Sequence, residues 1–309
     1  MSDELWVEKY RPQTIDDCII TDRVRKQLKG FIAKKSIPNL LFVAGPGCGK
    51  TTLARAIVRE LGAEQLFIDC STDSGKSAIN NMVDPFASTI SMGASDVPKF
   101  IICDEADGLL KATQKSFRQK IEQYKTSRFI FTGNYSEQFI DALKSRLSEI
   151  DLSITKEDKP QLCRQFYERC VKILNENNVE YDREALAMFI FKLFPDYRKI
   201  INELQSYSAG GNKVDAGILT VSTDTIASAL YPILMEKKFE ECRKWIAETT
   251  NSADDIFASL YKAMPDYIDK KKQPELILII AQYQEYAARV VNQQINLMAC
   301  CVEIMSALG

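Results

Sequence analysis

The sequence predicts an α/β fold built on a five-stranded parallel sheet, followed by helices alone. Three observations carry this expectation. Five short runs punctuate the first half: NLLFVA (39–44), QLFIDC (65–70), KFIICD (99–104), RFIFTG (128–133) and IDLSI (150–154). The first four are apolar nearly throughout, as strands buried on both faces of a parallel sheet are. Longer segments of helical periodicity separate them, the alternation of a doubly wound sheet. After Thr155 the strand signals stop.

The first strand runs into AGPGCGKTT. Gly49, Lys50 and Thr51 match the end of the phosphate-loop pattern GxxxxGK[ST], with Ala44 in place of its first glycine and Gly45 and Gly47 between. Glycines let backbone N–H groups curl around phosphate oxygens, and the helix that starts here adds its positive end. Lys50 is placed to reach β- and γ-phosphates, and Thr51 to ligate Mg²⁺. Gly45, Pro46, Gly47, Cys48, Gly49 and Thr52 complete the expected ATP-binding loop. Cys48, at a helix N-terminus, reads either as a reactive thiolate or as an inert small residue filling the loop.

The third strand ends in Asp104 and Glu105. Ligands of open α/β sheets bind beyond the C-terminal ends of the strands. Asp104 suits Mg²⁺, and Glu105 suits orienting and polarising an attacking water. The helix that follows is basic: Lys111, Lys115 and Arg118 fall within an arc of roughly 60°, and Phe117, Ile121 and Tyr124 repeat their spacing on a second face that should pack inward. The basic stripe, with Lys76 near the start of the preceding helix, reads as a DNA backbone contact or as a solvated face. The fourth strand ends at Asn134, on its own an ordinary turn residue. Arg146 stands just ahead of the fifth strand, where strand formation calls for no arginine. Beyond Thr155, helical segments run to Gly210-Gly211, a helix stop, and from Thr225 to the end. Three domains are expected: 1–153, a nucleotide-binding α/β domain; 154–221, a small helical lid; and 222–309, a helical collar.

Composition narrows the chemistry. The 309 residues contain no histidine, which removes histidine-based triads, bases and metal ligands. Nine cysteines, an odd number with no CxxC spacing, fit free thiols in a reducing cytoplasm. The N-terminus has no apolar signal region and no run is long enough to span a bilayer, so no membrane association is expected. The net charge of −2 leaves any nucleic-acid contact to a local patch.

These motifs together resemble an AAA+ ATPase. WVEKYRP (6–12) narrows the resemblance to sliding-clamp loader subunits of the replication factor C type, and FPDYRKIINEL and DAGIL resemble the large subunit of the clamp loader of T4-like bacteriophages. The resemblance implies that Val7, Tyr10, Arg11 and Pro12 lie near the adenine. It implies that Asn134 is the first sensor, positioning water and γ-phosphate, and that Arg198, otherwise a solvated helix residue, is the second, reaching from the lid. The loader signature Ser-Arg-Cys stands here as Ser145-Arg146-Leu147. The resemblance makes Arg146 an arginine finger for the ATP of an adjacent subunit; the bland alternative is a surface salt bridge with Glu149 or Asp151. The implied partners are a sliding clamp, primer–template DNA bound without sequence preference, further copies of this chain and a small loader subunit in a ring or spiral. The implied location is cytoplasmic, in the host if the source is a bacteriophage. Competing readings are a helicase loader or initiator, a non-catalytic assembly subunit, and, more distantly, a small-molecule kinase.

Overall fold

Five strands, β1 (Leu40–Val43), β2 (Gln65–Asp69), β3 (Lys99–Asp104), β4 (Ser127–Gly133) and β5 (Ser148–Asp151), run parallel in one sheet ordered β2–β3–β4–β1–β5. They are taken from a computed structural model of the chain, which describes residues 5–34, 36–72, 75–89, 97–211, 213–221, 225–249, 252–287, 289–290 and 292–308. Both faces of the sheet are covered. Leu40, Phe42, Phe100, Ile102 and Ile130 point into one core, and Leu41, Ile101, Cys103, Phe129 and Phe131 into the other. Period-two alternation with both sides buried is why β1, β3 and β4 read as unbroken apolar runs. Phe117 fills the second core edge-on to Phe131, with ring centroids 5.2 Å apart. Each such side chain contributes about 1.5–3 kcal/mol on burial.

The helices of this part are α1 (Trp6–Lys9), α2 (Asp22–Ala33), α3 (Lys50–Glu60), α4 (Lys76–Ser88), α5 (Lys111–Gln123), α6 (Asp141–Lys144), α7 (Lys159–Glu176), α8 (Arg183–Leu193) and α9 (Tyr197–Ala209). Two boundaries depart from expectation. β5 ends at Asp151 rather than running to Ile154. Its partner β1 is spent at Val43; after one more bond, from Leu152 N to Val43 O at 2.9 Å, Ser153 N turns to the Asp151 carboxylate at 2.8 Å. The helical run over 183–209 is two helices. Pro195 cannot donate the bond a continuous helix needs, and Asp196 starts the second helix by accepting from Lys199 N at 2.9 Å.

Contacts divide the chain into two compact units, Met1–Asp215 and Ala216–Gly309. The second consists of α10 (Gly217–Val221), α11 (Thr225–Met235), α12 (Phe239–Glu248), α13 (Ala253–Tyr267), α14 (Gln273–Ala287) and α15 (Gln293–Ala307). It has its own core, in which Leu276 and Ile280 are buried with Tyr231, Phe257 and Ile304. Among the described residues no helix is long and apolar enough to cross a membrane.

Candidate functional site

β1 delivers the chain to the glycine loop at the C-terminal end of the sheet. Gly47 and Gly49 adopt φ of 74° and 82°, which a β-carbon would oppose. At Gly47 a β-carbon would also stand 2.0 Å from the Asp196 carboxylate. Ala44 is accommodated because it still belongs to the sheet edge: its N–H donates to Gly133 O at 3.4 Å and its methyl is buried. The Lys50 ammonium lies inside the loop, donating to the carbonyls of Ala44 and Gly45, each at 2.9 Å, and to Asn134 Oδ1 at 2.8 Å. Burial lowers its affinity for the proton. Of the two readings of Cys48, the structure favours the inert filler of the loop: burial, ahead of the attraction of Lys50, pushes its thiol up from the ordinary value.

β3 and β4 bring the acidic pair alongside. Thr51 Oγ1 reaches Asp104 Oδ1 and Oδ2 at 2.7 and 2.9 Å. Thr132, fully buried in β4, donates to Asp104 Oδ1 at 2.5 Å and accepts from Glu105 N at 3.1 Å. One hydroxyl thus orients both acids. Glu105 is exposed, with its backbone in the left-handed region at φ 51°, a conformation costing about 1–2 kcal/mol for a residue with a side chain. Asp107 accepts from Asn134 N at 2.7 Å and fixes the turn after β4. Neither Asp104 nor Asp107 caps the start of a following helix through its side chain. Thr132 and Asp107 carry no sequence signal of their own; only the strand register reveals them.

The other wall comes from the N-terminal segment, α7 and α9. Val7, Tyr10, Arg11, Pro12, Ile20, Phe166, Arg169, Tyr197, Arg198 and Ile201 line the same cavity as Pro46, Gly47, Cys48, Gly49, Lys50, Thr51, Thr52, Asp104, Glu105 and Asn134. Gly45 contributes its carbonyl to Lys50. Tyr10 OH accepts from Asn177 at 2.8 Å, and Trp6 N donates to Gln205 Oε1 at 2.8 Å, which ties the N-terminal segment to α7 and α9. Tyr197 is the joint that sequence reasoning missed: its N–H donates to Gly47 O and its hydroxyl to Ile19 O, both at 3.2 Å, while its ring packs on Phe166 at 4.7 Å.

Arg146 does not line this cavity. β5 pairs with β1 so that Leu40 faces Ser148 and Val43 faces Asp151. Arg146 therefore stands at the start of the strands, and the glycine loop follows their far end, roughly 10 Å or more along the sheet. Its guanidinium is bound by Glu122 on α5, not by Glu149 or Asp151. On α5, Lys111 and Lys115 are exposed, and Arg118 is half-buried with its Nε 3.7 Å from Glu122. The opposite face of α5 packs inward as expected, with Phe117 buried. Lys76 begins α4, but its side chain lies outside the described residues.

The family model of the ATPase family associated with various cellular activities (AAA) matches residues 40–156, and that of the sliding-clamp-loader large subunit, AAA+ ATPase lid domain, matches residues 158–220. A replication factor C small subunit of Archaeoglobus fulgidus is 32% identical over 273 residues, covering 84% of this chain and 83% of that protein. The sliding-clamp-loader large subunit of Escherichia phage RB69 is 33% identical over 225 residues, covering 70% and 68%. Among solved structures, the RuvB Holliday junction branch migration motor of Thermotoga maritima aligns with a TM-score of 0.52 over 84% of this chain and 88% of that one. At 18% identity that likeness is one of fold alone.

Proposed function

The chain belongs to the replication factor C family of AAA+ clamp-loader ATPases, and from that premise we propose how its residues load a clamp. ATP binding assembles a ring or spiral of these chains with a small partner subunit, and the assembly grips and opens a sliding clamp. Primer–template DNA then triggers hydrolysis, which releases the clamp. The work is done in the cytoplasm. Within the chain, 1–153 holds the nucleotide, 154–221 is the lid and 222–309 the collar.

The glycine loop and Lys50 hold the phosphates. Val7, Tyr10, Arg11 and Pro12 flank the base, and Arg198 reaches in from the lid. The residues present suit Mg²⁺: that ion takes one or two carboxylates and otherwise relies on substrate phosphates and water, and Thr51 and Asp104 form such a sparse donor set. The bound ion would supply charge neutralisation at the β- and γ-phosphates. Glu105 aligns the water, and Asn134 holds it against the γ-phosphate. Lys111, Lys115 and Arg118, with Lys76, contact the DNA backbone, which carries no base information.

The observation supporting this reading above the others is the separation of Arg146 from its own cavity. An arginine placed that far from its own glycine loop acts on the nucleotide of another subunit, as a multi-subunit machine requires. The deciding experiment is steady-state ATP hydrolysis by the assembled loader with and without primed DNA and clamp. Joint stimulation is expected; indifference to both would point to another AAA+ role. A second result follows from β4. Thr132→Val keeps the shape of the side chain but strips Asp104 of a donor and Glu105 N of its acceptor. kcat should fall about 10- to 100-fold with little change in the KM for ATP. A drop in nucleotide affinity alone would contradict this role.

A further inference from the structure

One cluster of charged side chains outside the cavity joins two elements that the proposed reaction uses separately. Arg146 donates from Nε to Glu122 Oε1 at 2.7 Å and from Nη2 to the same oxygen. Its Nη1 donates to the Ala142 carbonyl at 2.8 Å and to the Ser145 hydroxyl at 3.1 Å. The fork is therefore fixed by its own chain on most sides, with Nη2 still able to donate outward. Glu122 sits near the end of α5. One turn earlier on the same helix, Arg118 brings its Nε to 3.7 Å from the oxygen that Arg146 uses, and that Nε is buried without a hydrogen-bond partner.

We propose that Glu122 is the positioning residue for Arg146, and that Arg118 competes for it until a nucleic-acid phosphate draws Arg118 away. The inference rests on Arg146 serving the neighbouring subunit's ATP. An unanchored arginine samples many rotamers and must surrender them to meet a phosphate, whereas one held in place has lost that freedom beforehand. Glu122 supplies the anchor. The hydrogen bond from Arg146, ahead of the charges of Arg146 and Arg118, keeps its carboxyl below the usual range, so it is ionised at neutral pH. Two cations share one oxygen, and Arg146 has the hydrogen bonds. Arg118 belongs to the basic stripe of α5, where a phosphate would be a stronger partner for it than a shared carboxylate 3.7 Å away. Once Arg118 leaves, Glu122 orients Arg146 alone. DNA contact at Arg118 thus sharpens the finger held one turn further along the same face of α5, without any large movement.

The sign of the effect makes it testable in the assembled loader. Glu122→Ala should lower kcat about 10- to 100-fold in the presence of primed DNA, with ATP affinity unchanged. Glu122→Gln, which still accepts from Nε, should recover part of the loss. Mixing Glu122→Ala with Lys50→Ala should restore turnover, because the second variant lends an intact finger to the ATP held by the first. A merely structural residue would not be rescued in this way. Arg118→Ala removes the competitor, so hydrolysis without DNA should rise while the further gain on adding DNA shrinks; a DNA-free rate that stays level or falls would overturn the competition. An unchanged or higher kcat in Glu122→Ala would overturn the positioning role. If Arg146→Ala is inactive while Glu122→Ala is not, only the positioning role fails. If Arg146→Ala keeps its full rate, the action across subunits fails with it.

Discussion

Arg146→Ala should bind ATP as tightly as the unaltered chain and hydrolyse it about 10³–10⁵-fold more slowly. The two halves of this expectation have separate causes. Affinity is set by the glycine loop, Lys50 and the walls formed by the N-terminal segment and the lid, and Arg146 touches none of them. On the proposed assignment the rate depends on positive charge at the breaking phosphate bond, where a guanidinium acts in a desolvated seam at short range. Its place at the opposite end of the sheet sets it roughly 10 Å or more from the loop it would have to serve within one chain. Binding is read with a fluorescent nucleotide and the rate by single turnover in the assembled complex. Lys50→Ala lacks the ammonium that reaches the phosphates but keeps its finger. The two inactive variants should therefore recover turnover when mixed. A single variant that retains its full rate would return Arg146 to the status of a surface ion pair, worth about 0–1 kcal/mol.

How much of this was legible beforehand depended on whether the determining contacts were local. β1, β3 and β4 are buried on both faces, so their composition marks them almost to the residue. β5 lies at the sheet edge and exposes Glu149 and Asp151, so its limits came from its neighbour's length and not from its own pattern. The glycine loop and the acid pair are contiguous motifs and announced themselves. Thr132 did not, because a threonine in a strand is unremarkable until the register sets it beside Asp104. Glu122 is 24 residues before Arg146, beyond the reach of the alternation that suggested Glu149 or Asp151. Asp196 and Gly47 are far apart in sequence, and their close approach adds to the positive φ in excluding a β-carbon there. Cys48 stayed open between two readings for a different reason: the helix N-terminus favours a thiolate and burial opposes it, and sequence shows the first influence only.

Glu105→Gln should lower kcat about 10²–10⁴-fold while ATP still binds. Glutamine preserves the size of the side chain and an oxygen to accept a hydrogen bond, but it is far too weak a base to draw charge from an attacking water. The direction of the side chain is already set by the left-handed backbone at φ 51° and by the bond from Glu105 N to Thr132, so the substitution changes basicity and little else. For the same reason Thr132→Val should add less on top of Glu105→Gln than it costs alone, since both act on one carboxylate. On the proposed assignment Glu105 works on the ATP of its own chain and Arg146 on that of the next. Subunits carrying Glu105→Gln can donate an intact finger, and subunits carrying Arg146→Ala can hold ATP beside an intact base. In an equal mixture assembling head to tail at random, about a quarter of the seams are complete, and about that share of the original rate should return. If both residues acted within one chain, no mixture could do better than its parts.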